Sequence, residues 1–422
     1  MKRIIAFFII VMPLFVNAQK EPQVTLEQVQ RWAAENFPLV KQKLLAQESA
    51  SATQANLSNN YLPQFNVSGQ ATWQNAVTAV PFNFPGMQID PLSNDQYRLL
   101  LDVNQLLYDG GQTRLQQKLT GLQANIRQQE VDISLHALRE KINNLYLNIL
   151  LLDEQRQLQN IVVTDLEAGI NKVKAQVANG TAYRSYLALL QSEKLKAMQR
   201  IQEIDLDRQG LIETLGLLTN QSFTADVKFL LPEIIINPDK NIAMNRPELK
   251  FYKLKDSLLQ MQDEVTIGKI KPRISLFASS GYGRPGLNML KNEFSPFVTT
   301  GVRMQWNLSG FYNLRKEKSL NEIARKEVKA LQENFVLQTQ AEIIKQGNTA
   351  QKYYSMLKTD DEIIRLKKQV KDASLAQLEQ GIITASDYLR EVHAEDAARQ
   401  QKELHKLQQI QAMLTLQNAA GN

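Results

Sequence analysis

"YLPQFNVSGQATW", residues 61–73, shows a clear strand pattern in a chain that otherwise reads mostly as helix. From Phe65 onward, apolar or small residues alternate with polar ones, which is the period of a β-strand with two chemically different faces. The two sets are Phe65, Val67, Gly69, Ala71, Trp73 and Gln64, Asn66, Ser68, Gln70, Thr72. The surrounding sequence is rich in Gln, Leu, Ala, Lys and Glu, which favour helices. The fold therefore has to accommodate an amphipathic strand among long helices.

The same alternation recurs in three more segments, at residues 97–104, 273–282 and 298–307. Each predicted strand has about ten residues, the length of a tilted strand that crosses a bilayer. Aromatic residues lie toward the strand ends, as in the interfacial girdle of a membrane sheet; they are Trp73, Tyr97, Tyr282 and Trp306. A soluble sheet with one solvated face would show the same alternation, so the strands alone leave both interpretations open.

The N-terminal residues 1–18 predict a secretory signal peptide, with basic Lys2 and Arg3, a short apolar run, and the small-residue site Val16-Asn17-Ala18. Removing this segment lowers the formal net charge from +6 by two, to +4. That modest excess lies beside acidic residues on helices and does not predict nucleic-acid binding. The chain has no Cys, which excludes disulfides and thiol chemistry, and no later run of about 20 apolar residues.

An internal repeat organises the chain. "ENFPLVKQKLLAQ" (35–47) resembles "MNRPELKFYKLKD" (244–256), and Pro63 matches Pro272, both at an offset of 209 residues. "LLYDGGQTR" (106–114) matches "NLSGFYNLR" (307–315), and "ANGTAYRSYL" (178–187) matches "EQGIITASDYL" (379–389), both at 201. One length change reconciles all these matches, so we expect a first repeat at 19–218, a joining segment at 219–242 and a second repeat at 243–422.

Each repeat is expected to contain a helix, two strands, a very long helix and a returning helix. The first helices are predicted at about 25–58, with a capping box at Thr25, and at about 243–268. The long helices are predicted at about 112–178 and 313–379, each extending roughly 100 Å. Spacings of three and four predict a coiled-coil seam in the first; its apolar positions are Val131, Leu135, Leu138, Ile142, Leu145, Ile149 and Leu152.

Two glycines, Gly180 and Gly381, interrupt these helical runs, and each is expected to occupy a tight turn that needs a left-handed residue. Catalytic, cofactor-binding and metal-binding constellations are not predicted. The three histidines (His136, His393 and His405) are scattered along helical segments. The paired glycines of "YDGGQ" (108–112) follow a strand and open a helix, which predicts a turn rather than a nucleotide site.

A sheet in lipid must close, because an open edge would leave unpaired backbone N–H and C=O groups in hydrocarbon. Four strands are too few for a closed barrel, since small barrels use about eight. If the strands cross a membrane, the barrel must be shared between chains. Two chains would supply eight strands and three would supply twelve; physics alone does not choose between them.

The signal peptide, the Asn-x-Pro pattern in both halves, Pro63 and Pro272 before the strands, "LYDGG" (107–111) before a long helix and the twin glycine breaks resemble a TolC-type outer-membrane efflux protein. The resemblance implies a mainly α fold with membrane β: a homotrimer with a twelve-stranded β-barrel in outer-membrane lipid and a coiled-coil α-barrel through the periplasm. It implies a passive conduit coupled to an inner-membrane efflux pump through a periplasmic adaptor protein. Residues 219–241 would belong to a collar around the tunnel.

The resemblance also implies site residues. Gly180 and Gly381 would lie at the periplasmic tip, where the turns dock the adaptor. Asp387 matches the first acidic position of the family's constriction, whereas Arg390 and Tyr186 depart from the usual acidic pattern. We expect Asp387 and Arg390, one helical turn apart, to pair and hold a closed gate.

Two other functions are weighed against a channel. A periplasmic adaptor protein with coiled-coil hairpins also combines a signal peptide, helices and some β-structure, but it would not duplicate its whole length. A secreted enzyme would need a paired acid and base or an activated nucleophile, and no such signature is evident.

Overall fold

The computed structural model describes residues 23–78, 91–224, 226–232 and 243–421. The predicted signal peptide, residues 1–18, lies outside the described residues. So do parts of the first strand connection and of the joining segment predicted at 219–242.

The first half contains two short helices, two long strands and two long helices, framed by two short strands. In chain order these are β1 (Gln23–Val24), α1 (Leu26–Asn36), α2 (Val40–Ser58), β2 (Gln64–Trp73), β3 (Asp95–Tyr108), α3 (Gln112–Ala178), α4 (Arg184–Thr219) and β4 (Lys228–Phe229).

The second half repeats the order of helix, two strands, long helix and returning helix. Its elements are α5 (Pro247–Lys269), β5 (Arg273–Arg284), β6 (Ser295–Gln305), α6 (Gly310–Glu379) and α7 (Ala385–Ala420). The long helices α3 and α6 have 67 and 70 residues. The predicted internal duplication is therefore confirmed.

The predicted single helix at 25–58 is wrong, because two helices occupy this range. Pro38 restricts the residue before it to extended backbone and cannot donate a helical hydrogen bond. Phe37 accordingly ends α1 with φ −66° and ψ 121°. The predicted capping box at Thr25 is confirmed: its hydroxyl accepts from Gln28 N, and its own N–H donates to Gln28 Oε1 at 3.0 Å.

A small parallel pairing between β1 and β4 is not predicted from the sequence. The buried Tyr146 of α3 supports it, because its hydroxyl lies 2.8 Å from the Val24 carbonyl oxygen and 2.6 Å from that of Leu230. The Tyr146 ring also meets Phe229 edge to face, with 5.3 Å between the ring centroids. Two-residue strands carry too little alternation to be recognised in a sequence.

The four long strands form one antiparallel sheet in the order β2-β3-β5-β6. The strands contain 10, 14, 12 and 11 residues, which is enough for tilted strands to cross a bilayer. Within the described residues, β2 and β6 are the outer strands, so each has one edge without a partner strand in this chain. Such edges present rows of unpaired backbone groups.

The chain forms two compact units that cut across the repeats. One contains the described residues up to Phe37, those between Ala137 and Ala243, and Glu342–Ala420. The other contains Pro38–His136 and Met244–Ala341, with Gly421. Each unit therefore takes segments from both repeats. None of the described helices combines the length and the apolar character needed to cross a membrane.

Candidate functional site

Two short connections between consecutive helices occupy the predicted glycine breaks. The first helical turn (179–183) joins α3 to α4, and the second helical turn (380–384) joins α6 to α7. Gly180 has φ +72° and Gly381 has φ +71°, and no side chain or backbone atom crowds either position. The turns need glycine for its left-handed backbone and not for space.

Both turns use the same hydrogen bonds to end a helix. In the first, Thr181 N donates to Gln176 O at 2.8 Å and Gly180 N donates to Val177 O at 3.1 Å. In the second, Ile382 N donates to Gln377 O at 2.9 Å and Gly381 N donates to Leu378 O at 3.1 Å. These pairs define the Schellman motif, which satisfies the last carbonyl groups of a helix.

Contacts between α3 and α6 hold the two turns beside each other. Gln176 Nε2 of α3 donates to the carbonyl oxygens of Leu378 and Glu379, at 2.7 and 2.9 Å. On the surface, Lys172 Nζ lies 2.6 Å from Glu379 Oε1, an exposed ion pair that adds little to this contact. The end of α6 is therefore capped by a side chain from the other repeat.

An apolar cluster packs behind the turns, with members from α3, α4, α6 and α7. Its buried residues are Val162, Leu166, Val173, Leu190, Ala197, Leu378, Ala385, Tyr388, Leu389 and Val392. Tyr388 is fully buried, and its hydroxyl donates to the Asp165 carbonyl oxygen at 3.0 Å. Burial raises the pKa of Tyr388 above its ordinary value, so this group stays a neutral donor.

Asp387, the predicted gate carboxylate, caps the start of α7. Its Oδ2 accepts from the Thr384 hydroxyl at 2.7 Å and from Thr384 N at 3.1 Å, and its own N–H donates to Thr384 Oγ1 at 3.2 Å. This reciprocal arrangement is a capping box. The Thr384 hydrogen bonds, helped by the charge of Arg390, lower the pKa of Asp387 below its ordinary value.

Arg390 is exposed, and its guanidinium lies between two carboxylates. Its Nη1 is 3.6 Å from Asp387 Oδ1, and its Nε is 3.2 Å from Glu391 Oε1. Tyr186 occupies the position of the first repeat that matches Asp387. Its ring meets that of Tyr183 at 5.8 Å, near perpendicular, so an aromatic pair replaces the capping box there.

The sequence did not single out the exposed side chains of the turns. Tyr183 is 74% exposed and Ile382 is 67% exposed. Large apolar groups at such exposure are typical of contact surfaces when they lie together. Tyr183 follows Gly180 by three residues and Ile382 follows Gly381 directly, so their closeness to the turn glycines could have identified them.

The four-stranded sheet has one apolar and one polar face, as the alternation predicts. The cross-strand register brings Val67 opposite Leu101, and Leu276 opposite Val302, on the apolar face. Val67 is 69% exposed in the single chain, and its neighbours on this face are similarly open to solvent. Such an exposed apolar face needs lipid or another protein surface to cover it.

The opposite face carries hydroxyl, amide and charged groups on all four strands. The Ser279 hydroxyl donates to the Asp102 carboxylate across β5 and β3, and the Arg303 guanidinium lies 4.7 Å from the centroid of the Phe277 ring. Among the described residues, no three acidic or histidine side chains gather in a way that could hold a metal ion.

No protein-family model and no curated protein matches the chain. The fold, however, matches solved structures closely. A structure of CusC, described in terms of folding and transmembrane channel formation, gives a TM-score of 0.72 at 13% identity, over 94% of this chain and 91% of that one. The CmeC outer-membrane channel of Campylobacter jejuni gives 0.67 at 15% identity, over 94% and 85%. The open state of the Neisseria gonorrhoeae MtrE outer-membrane channel gives 0.68 at 14% identity, over 94% and 89%.

These similarities extend over both halves of the chain, including the strands and the long helices. At such low identity they establish the fold and do not carry over residue roles. The expected resemblance is confirmed at this level: the chain has the fold of the TolC-type outer-membrane efflux channels.

Proposed function

We propose that this protein is the outer-membrane channel of a tripartite efflux or secretion system. The observation that carries the proposal is the amphipathic four-stranded sheet, whose apolar face is exposed and whose two outer edges lack partners among the described residues. In lipid, such a sheet is stable only if the edges pair and the apolar face meets hydrocarbon. The fold match over 94% of the chain favours a channel over a periplasmic adaptor.

Closure requires copies of the same chain. Three copies would pair β6 of one chain with β2 of the next and give twelve strands, as the family resemblance implies. Two copies would give eight strands, which is also enough to close a barrel. We favour the homotrimer, with the barrel in the outer membrane and the long helices of three chains enclosing a periplasmic tunnel.

The two helical turns would form the periplasmic tip and dock an adaptor protein that connects the channel to an inner-membrane pump. The exposed Tyr183 and Ile382, beside Gly180 and Gly381, support this proposal because they offer apolar contact area. The conduit itself would be passive and non-enzymatic, with neither a cofactor nor nucleic acid involved, and the pump would supply the energy.

Asp387, Arg390 and Tyr186 are proposed to line the closed gate. Repetition around a threefold axis would convert the Asp387–Arg390 pair into a ring of charges, in which Arg390 would pair within its own chain or with a neighbouring copy. Arg390→Ala tests the ion pair more specifically than Asp387→Ala would, because Asp387 also caps α7. We expect this variant to raise the leak through the closed channel.

Planar-bilayer recording tests the function. Purified protein in detergent should insert and produce discrete conductance steps, and Arg390→Ala should increase the conductance of the closed state. A preparation that binds lipid but never conducts would contradict the channel. Equal conductance in the wild type and in Arg390→Ala would leave the channel intact and remove the gate assignment.

A further inference from the structure

Four charged side chains form a partly buried ionic cluster behind the second helical turn, which we name the ionic latch: Asp165 of α3, Lys371 of α6, and Glu395 and Arg399 of α7. Lys371 is only 6% exposed and Glu395 only 2%. All four residues belong to the same compact unit. Along the chain, Lys371 lies about three turns of helix before Gly381, and Glu395 and Arg399 lie about four and five turns after it.

Every charge in the ionic latch has a partner of opposite sign. Lys371 Nζ lies 2.7 Å from Asp165 Oδ2 and 2.7 Å from Glu395 Oε2. The other Glu395 oxygen, Oε1, accepts from Arg399 Nη2 at 2.6 Å and from Nε at 2.9 Å. Two cations and two anions balance, so the group carries no net charge.

The protonation states follow from competing effects. Burial alone would lower the pKa of Lys371 and raise that of Glu395. The hydrogen bonds and the neighbouring opposite charges together outweigh burial in both cases, so the Lys371 pKa lies above its ordinary value and the Glu395 pKa below. Both groups are therefore charged at neutral pH.

The ionic latch links α3, α6 and α7, because Lys371 of α6 contacts a carboxylate from each of the other two helices. Asp165 contacts α6 through its carboxylate and α7 through its carbonyl oxygen, which accepts from Tyr388. Glu395 lies two turns further along α7 than Tyr388. The start of α7 is thus fixed to α3 at one point by a neutral hydrogen bond and at another by the shared lysine.

Buried ion pairs are poor sources of stability, because desolvation offsets their attraction, but they can specify register. The apolar contacts of the cluster beside the ionic latch are individually non-directional, so they specify the position of α7 less sharply than ion pairs do. A slide of α7 that separates Lys371 from Glu395 removes one charged hydrogen bond from each of these two buried groups, leaving Lys371 with Asp165 alone and Glu395 with Arg399 alone.

The first repeat does not carry an equivalent. At the offset of 201 that relates the long helices, Lys371 corresponds to Ile170 and Glu395 to Lys194. Ile170 packs against the apolar cluster, and Lys194 pairs with Glu167 at a more exposed position. Of the two helix pairs, α6 and α7 alone have both latch positions occupied by opposite charges.

We propose that Lys371 is a positioning residue of the gate. With Asp165 and Glu395 it holds α7, and therefore the attached Asp387 and Arg390, in the register seen in this structure. This role rests on the proposed channel function, but its structural consequence can be measured without conductance.

Spin labels measure that consequence directly. The chain has no Cys, so Tyr183→Cys and Ile382→Cys place two unique labels on the exposed tips of the two helical turns. Labelled chains are diluted with unlabelled chains, so that few assemblies contain more than one labelled copy. Pulsed electron resonance then measures the distance between the two labels of one chain. The triple variant Lys371→Met, Asp165→Asn, Glu395→Gln removes three of the four charges, leaves only that of the partly exposed Arg399, and keeps most of the volume.

We expect the triple variant to assemble and to resist heat as the wild type does, while the distance distribution broadens and its mean shifts by about 2–5 Å, the scale of helix shifts in switching proteins. Lys371→Arg, which keeps the charge, should stay closer to the wild-type distribution than Lys371→Met. Glu379→Gln is the matched control, because it breaks the exposed Lys172 bridge between the same α3 and α6. It should leave the distribution unchanged.

An assembled triple variant with the wild-type distribution would overturn the proposal, and so would an equal shift in Glu379→Gln. If the triple variant does not assemble, Glu395→Gln carries the test, since it leaves Lys371 paired with Asp165; an unchanged distribution in it would also refute the latch. Conductance recorded on the same samples separates the two proposals. A wild type that never conducts contradicts the channel, whereas the label distances still decide the latch.

Discussion

The ring of Tyr388 lies directly against Gly169, so that a Cβ atom added to Gly169 would stand 2.8 Å from Tyr388 Cε1. The two residues come from different repeats, one in α3 and the other in α7. This close approach lets the Tyr388 hydroxyl reach the Asp165 carbonyl oxygen. A glycine inside the last part of a long helix is thereby explained by packing and not by backbone conformation.

Gly169→Ala should destabilise the protein although alanine favours helices. The added methyl group must displace a fully buried ring, which costs about 1–3 kcal/mol, against a propensity gain of about 1 kcal/mol. Gly210→Ala in α4 is the control, because open space surrounds that position, and it should be neutral or stabilising. Thermal unfolding in detergent compares them; a Gly169 variant as stable as the Gly210 variant would refute the packing account.

Gly381→Ala should weaken the second helical turn through backbone strain alone. A left-handed conformation costs a residue with a Cβ atom about 1–2 kcal/mol, and nothing crowds the site. Gly381→Asn should cost less, because asparagine tolerates that conformation. Hydrogen exchange of the turn amides measures the effect. We expect protection from exchange to be highest with Gly, lower with Asn and lowest with Ala at position 381. Equal protection in the two variants would argue against strain.

The carboxyl of Asp387 should titrate below the ordinary range for aspartate, mainly because of Thr384. A depressed pKa means that the native state binds fewer protons than the unfolded chain. Asp387 therefore stabilises the start of α7 above the unfolded-state pKa, and this stabilisation is lost as pH falls through the native pKa.

Thr384→Ala should raise the Asp387 pKa more than Arg390→Ala does, because the hydrogen bonds outweigh the charge. Carbon NMR of selectively labelled aspartate follows both titrations. A larger pKa shift in the Arg390 variant would mean that the ion pair, and not the capping hydrogen bonds, mainly lowers the pKa of Asp387.

Val67→Arg should impair membrane insertion, whereas Ser68→Arg should not. The two neighbours lie on opposite faces of β2, and an arginine facing lipid near the bilayer midplane costs about 2–4 kcal/mol. Folding into lipid vesicles, followed by urea titration, measures the difference. Equal effects of the two substitutions would mean that the apolar face does not contact lipid.

The main elements could be predicted because their patterns are periodic. Two-residue alternation identified all four long strands, and the proline-free helical runs placed α3 at 112–178 and α6 within three residues of its start. The turn glycines followed from their interruption of strong helical sequence, and their positive φ angles agree.

The parts that escaped prediction depend on distant or very short contacts. Lys371 and Asp165 are 206 residues apart, and no local pattern connects them. The β1–β4 pairing involves two residues from each strand. The capping role of Asp387 is predictable from the sequence, since Thr384 and Asp387 have capping-box spacing, whereas the family resemblance implies a gate role for the same residue.

Native mass spectrometry of protein extracted from membranes in mild detergent tests the central claim most directly. The claim is that one chain cannot close its own sheet, so neighbouring copies must pair with the free edges of β2 and β6. A single species with three times the mass of the processed chain is the predicted result. A monomer that remains stable and monodisperse in buffer without detergent or lipid would contradict it.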